Sequence, residues 1–180
     1  MKKLIASLML LGLFLGAVLL AVPHPRELYS LITADEPSAL PVPVQGVSLG
    51  AIADTWGSPR GSDREHKGVD IFAKRGTPVL APVRGLVLDI GQNRLGGNIV
   101  RLLGPGLQVH YFAHLDRFGP VKEYEFVQRG DVIGYVGNTG NAKDTPPHLH
   151  YGIYAYRQGA INPYPLLMAG GGKPVSLGMG

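Results

Sequence analysis

From Pro78 to Tyr156 the chain is a succession of short β-prone runs cut by glycine and proline, and no helix of useful length fits between them. Pro78–Ala81 and Gly85–Ile90 read as strands joined near Pro82. Asn98–Leu103 reads as another, and Leu107–Leu115 pairs with it across Gly104-Pro105-Gly106. Asp131–Val136 is ended by the turn signal Gly137-Asn138-Thr139-Gly140, and His148–Tyr156 is the last strand. Strands this close in sequence pair antiparallel, because a parallel pair needs a long crossover, usually helical. The predicted fold class is therefore mostly β and antiparallel. With Gly 26, Pro 15 and only 17% charged residues, the composition suits a turn-rich domain better than a helical bundle.

The 180 residues allow one such domain with appendages. Lys2 and Lys3 precede an apolar run from Leu4 to Val22, which predicts an N-terminal apolar helix acting as an export signal or a single-span membrane anchor. In the anchored reading the lysines keep the amino terminus in the cytoplasm. Either way the rest of the chain is placed on the outer side of the membrane, secreted or tethered in the cell envelope. Residues 23–45 carry Pro23, Pro25, Pro37, Pro41 and Pro43 and read as a linker, with a short helix near Arg26–Thr33. The domain is expected over residues 46–168, and residues 169–180 form a glycine-rich tail.

His148-Leu149-His150 and His66-Lys67-Gly68-Val69-Asp70 carry the chemistry. Side chains two apart on a strand share a face, so His148 and His150 look into one cleft while Leu149 enters the core. Gly68, Val69, Ile71 and Phe72 disfavour a helix around Asp70; a loop entering a strand can bring His66 and Asp70 together instead. Singly, His66 is an ordinary surface imidazole and Asp70 a turn carboxylate; jointly with the second His pair they make a metal-ligand set. The chain has no cysteine, so any metal is held by imidazole and carboxylate, and three such ligands leave a fourth position open. His114 ends a predicted strand. His110, four residues earlier, shares its face if that strand is regular and is read as a supporting residue at most. His24 lies in the linker. Ser48, Ser58 and Ser62 lack a nucleophile-elbow context, and the Gly-rich stretches lack the Lys-Ser/Thr of a phosphate loop. The net charge of +4 draws the chain toward anionic polymers, but no Lys/Arg cluster interleaves with aromatics, so no nucleic-acid partner is expected.

Taken in order, these motifs resemble those of the lysostaphin-type, or LytM-domain, zinc endopeptidases that cut peptidoglycan. The matching residues are Trp56-Gly57-Ser58-Pro59-Arg60, His66-x-x-x-Asp70, Gly76-Thr77-Pro78-Val79-x-Ala81 with Gly85-x-Val87, Phe112-Ala113-His114-Leu115, the run from Gly130 to Gly140, and Pro147-His148-Leu149-His150-Tyr151. The resemblance implies a two-sheet β scaffold of the LytM (duplicated hybrid motif) type. It implies zinc held by His66, Asp70 and His150, with His114 and His148 as the catalytic pair. Peptidoglycan is then the partner. Phe112 stands where Tyr is common, which removes a hydroxyl near the site, and Thr145-Pro146-Pro147 stands where Gly-Pro is frequent, which alters the substrate rim. Two other classes compete: a non-enzymatic LytM-like activator of a cell-wall amidase, which loses ligands that this chain keeps, and a structural zinc site, which closes with a fourth protein ligand.

Overall fold

A computed structural model describes residues 24–61 and 63–171. The apolar run at residues 4–22 and most of the glycine-rich tail lie outside the described residues. The chain divides into two compact units, residues 1–30 and 31–180. Of helices, α1 (Pro25–Ile32) falls on the short helix expected there, and α2 (Tyr164–Ala169) follows the last strand. Among the described residues no helix is long and apolar enough to cross a membrane.

The second unit is mostly β and antiparallel. Its strands are β1 (Val69–Phe72), β2 (Pro78–Leu80), β3 (Gly85–Asn93), β4 (Gly97–Leu103), β5 (Val109–Phe118), β6 (Phe126–Val127), β7 (Val132–Val136), β8 (His148–Ala155) and β9 (Gly159–Ile161). Hydrogen bonds join all nine into one sheet with a main path β1-β8-β5-β4-β3-β6. The two sheets expected from the sequence are thus linked through β5, which belongs to both branches. One edge of β5 pairs with β4. The other edge pairs with β8 over Val109–Ala113 and with β7 over Leu115–Phe118.

His114 sits at that fork. Its φ of 62° is left-handed, and the pairing with β4 slips between Asn98 and Val100. The result is a β-bulge, which inserts a residue and re-aims a side chain. In a regular strand His110, Phe112 and His114 would share one face. Here His110 and Phe112 face the core opposite Ile153 and Tyr151, while His114 turns to the other side with Ala113 and His150. His110 therefore does not share the face of His114. Phe112 is fully buried and stacks obliquely on Tyr151, so the residue at this position does not reach the site.

The alternation along β8 is complete: Leu149, Tyr151 and Ile153 are in the core with Val69 and Ile71 of β1. A one-residue slip would drive both histidines into that core, so burial of these side chains fixes the register of the site. The stretch read as linker also enters the core. Leu40, Val42 and Val44 are fully buried, and Val44 bridges to Val79. Pro41 and Pro43 between them are buried as well, so the segment is an extended strap covered along its length.

Candidate metal centre

Asp70 and His150 lie directly opposite each other on β1 and β8, and Ala113 of β5 faces His150 from the other side. His66 arrives from the segment before β1. Its backbone is held by hydrogen bonds from Gly57 N to His66 O and from His66 N to Ser58 O, both 2.9 Å. This places His66 Nε2 2.8 Å from His150 Nδ1 and 3.1 Å from Asp70 Oδ1, with His150 Nδ1 3.2 Å from the same oxygen. Gly68 is what lets His150 approach. A methyl group there would lie 2.7 Å from His150 Cε1 and 2.6 Å from the Tyr151 carbonyl oxygen.

The donor set fits a divalent ion. His66 Nδ1 donates to the Thr55 carbonyl at 2.9 Å, so its Nε2 carries a lone pair. Asp70 Oδ2 accepts a hydrogen bond from Arg60, so its Oδ1 is left for the cluster. With a lone pair on each ring nitrogen, as an ion would require, two imidazoles and one carboxylate oxygen converge on one point, a donor set suited to a divalent cation. Atoms at these separations lie about 1.8 Å from their common centre, inside the ~2.0–2.1 Å of a Zn–N or Zn–O bond, so one ion can touch all three from one side. Among the described residues this is the one group of three such side chains. Burial works to raise the Asp70 pKa, but hydrogen bonds and charge from His150 and His66 outweigh it and hold the carboxyl well below its ordinary range. Burial pushes the His150 imidazole down, against the hydrogen bond it donates to Asp70 and the charge of that carboxylate.

His148 and His114 flank the triangle. His148 Nε2 is 3.9 Å from Asp70 Oδ1, outside the ligand distances, and its ring lies 5.0 Å from that of His114 and 5.1 Å from that of Phe72. Both rings are oriented by the loop between β7 and β8. His148 Nδ1 donates to the Pro146 carbonyl at 2.8 Å and His114 Nδ1 to the Thr139 carbonyl at 2.9 Å. A carbonyl only accepts, so the neutral form of either ring carries its proton on Nδ1 and its lone pair on Nε2. Burial pushes His114 down to about 4, and the neighbouring His148 and His150 act in the same direction. The His114 imidazole is thus neutral near pH 7.

All five residues named from the sequence line one groove of about 1270 Å³. The sequence assigned no role to Thr55, Arg60, Thr139 or Tyr111. Thr55 serves twice, its carbonyl accepting from His66 and its hydroxyl from the Asp70 backbone N–H at 3.3 Å. Tyr111 supplies a hydroxyl on the groove wall, where Asn93 Nδ2 donates to it at 3.1 Å. Arg60 and Thr139 fall inside the matching motifs, but nothing there announces an orienting role, since a backbone carbonyl belongs to every residue and an arginine ten residues from its carboxylate follows no local spacing. His110 is buried on the opposite side of the sheet with Nδ1 2.6 Å from the Tyr151 hydroxyl.

Comparison with known proteins agrees with this geometry. The chain is similar to the L-Ala--D-Glu endopeptidase of Bacillus subtilis (strain 168), with 39% identity over 142 residues covering 73% of this chain and 43% of that protein. It is also similar to the glycyl-glycine endopeptidase ALE-1 of Staphylococcus capitis, with 40% identity over 88 residues covering 48% of this chain and 24% of that protein. The chain thus spans less than half the length of either curated relative. Among solved structures, the catalytic domain of the antimicrobial peptidase lysostaphin from Staphylococcus simulans superposes with a TM-score of 0.59 and 32% identity, covering 65% of this chain and 91% of that one. The family model for peptidase family M23 matches residues 64–163, more than half of the chain, so it belongs to peptidase family M23 and carries a LytM-type domain.

Proposed function

We propose that this chain is a zinc-dependent endopeptidase that hydrolyses peptide bonds in peptidoglycan cross-links. One observation carries the reading: His66 Nε2, Asp70 Oδ1 and His150 Nδ1 converge within 3.2 Å of one another in an open groove, beside two further histidines whose neutral rings carry the lone pair on Nε2. The endopeptidase names of the relatives support the reaction class.

In this reading His66, Asp70 and His150 hold the ion, and Arg60 holds the second oxygen of Asp70 away from it. A bound zinc ion would polarise the scissile carbonyl and lower the pKa of an attacking water to about 7. The protein supplies the proton traffic. His114 and His148 both present Nε2 to the reacting centre. One takes the proton of the attacking water; protonated imidazole can then hydrogen-bond the developing oxyanion and deliver the proton to the leaving amine. Burial of His114 keeps it in the basic form that the first step needs. We further propose that the unit works on the outer side of the cytoplasmic membrane, where its substrate lies. Residues 1–22 then act as signal or anchor; a mature amino terminus near residue 22 or beyond, found by sequencing the cellular protein, discards the anchor.

The test is digestion of purified peptidoglycan by the full chain, with zinc and with a chelator. Soluble muropeptides carrying new amino termini, released only with metal, support the proposal. Tight zinc binding without release contradicts it and favours a non-enzymatic activator.

A further inference from the structure

Four cationic side chains line the groove, with three carboxylates, Asp63, Glu65 and Asp70, among them. Arg60, Arg64 and Lys67 come from the segment before β1 and Arg94 from the β3–β4 turn. Two of these charges are spoken for: Arg60 by Asp70, and Lys67 by Glu65 at 2.8 Å. Arg64 and Arg94 have no ion-pair partner among the described residues, and the groove's remaining carboxylate, Asp63, is exposed next to Arg64 in the chain.

Arg94 is placed with care. It stands at the tip of the β3–β4 hairpin, where Asn93 Oδ1 accepts from Leu95 N at 3.1 Å and Gly96 N at 2.6 Å. Asn93 Nδ2 ties the turn to Tyr111, and the Leu95 carbonyl accepts from Asn141 N at 3.0 Å. The His114 backbone N–H donates to the Gly96 carbonyl at 2.7 Å. The guanidinium is therefore carried on a pinned turn two residues from a direct bond to His114, while its side chain remains exposed.

Resting on the peptidase reading above, we infer that Arg94 is a specificity residue for a peptide carrying free carboxylates beside the scissile bond, rather than a neutral glycine bridge. An unpaired guanidinium on a rigid wall binds a carboxylate bidentately. An all-glycine strand offers it only neutral carbonyls. An acidic stem peptide offers a carboxylate within a residue or two of the bond cut, which gains a charge-assisted pair without having to displace an existing one.

The probes are cross-linked muropeptides with carboxylates free, and the same muropeptides with those carboxylates converted to amides, each digested by the zinc-loaded full chain. The expected kcat/KM ratio of free to amidated form is roughly tenfold, the scale of one hydrogen bond to a charged group. Arg94→Gln brings the ratio toward one, chiefly through KM on the free form, and Arg94→Lys keeps an intermediate value. A wild-type ratio of one, or an Arg94→Gln variant that slows both forms equally, overturns the inference while leaving the peptidase reading intact. Cleavage of neither form by a zinc-loaded chain overturns the peptidase reading, and this inference with it.

Discussion

Asp70 and His150 face each other across the β1–β8 ladder, with the carboxylate oxygen of one 3.2 Å from the ring nitrogen of the other. Directly opposed residues of an antiparallel pair have Cβ atoms about 4.5–5.5 Å apart. That spacing brings an Asp and a His side chain to one point without distorting either strand. The proposed ligand pair is thus a consequence of register, and the register is set by Leu149, Tyr151, Val69 and Ile71 on the buried face.

His150→Ala removes a corner of the triangle. The expected outcome is loss of stoichiometric zinc, read by metal analysis after gel filtration, together with loss of cleavage. A variant that retains one zinc per chain contradicts the ligand assignment.

His148→Ala acts differently. Its Nε2 stands 3.9 Å from Asp70 and its Nδ1 is spent on Pro146, so the ligand set survives its removal. Zinc content should stay near that of the wild type while turnover falls by about two to four orders of magnitude, the usual contribution of a positioned acid–base group. Wild-type rates in the wall digest would show that His148 plays no chemical part.

Gly68→Ala tests the packing beneath the site. Its added carbon would meet the His150 ring at 2.7 Å and the Tyr151 carbonyl oxygen at 2.6 Å, and β1 or His150 must shift. We expect about 1–3 kcal/mol of destabilisation in denaturant melts and a weaker zinc affinity. Gly91→Ala, where nothing lies closer than 3.9 Å, serves as control and should leave zinc affinity unchanged.

His110 makes stability depend on pH. Burial pushes its pKa from 6.5 down to about 3. Between these values the unfolded chain binds a proton that the folded chain refuses. The stability gained by a neutral His110 is therefore complete above about pH 6.5 and is lost as pH falls toward 3, at up to about 1.4 kcal/mol per pH unit. Denaturant melts of the metal-free chain between pH 6 and 4 should show this slope, and His110→Gln should reduce it by that amount. An unchanged slope in the variant would mean that His110 is already protonated in the fold.

Much of the candidate site was legible in the sequence because two of its histidines are tied to strand periodicity. The alternation His148-Leu149-His150 declared which face each side chain takes, and β8 obeys it. The same reasoning misled at His110. A four-residue spacing promised a shared face with His114, and a bulge with φ of 62° at His114 cancelled it. Nothing in Tyr111-Phe112-Ala113-His114-Leu115 announces that bulge, because His114 has none of the glycine that usually marks a left-handed residue. Strand β6, with two residues, and β9, with three, are too short to display alternation. Leu40, Val42 and Val44 were hidden by the prolines between them, which read as linker although they suit an extended strap on the sheet. Strand β5, shared by both branches, is a pairing fact that no local pattern encodes.

The most direct measurement is anomalous diffraction at the zinc edge from crystals of the zinc-loaded chain. One peak bonded to His66 Nε2, Asp70 Oδ1 and His150 Nδ1, with the remaining position turned toward His114 and His148 and free of any protein ligand, is the predicted result. A peak elsewhere, or an ion closed off by a fourth side chain, would contradict the account.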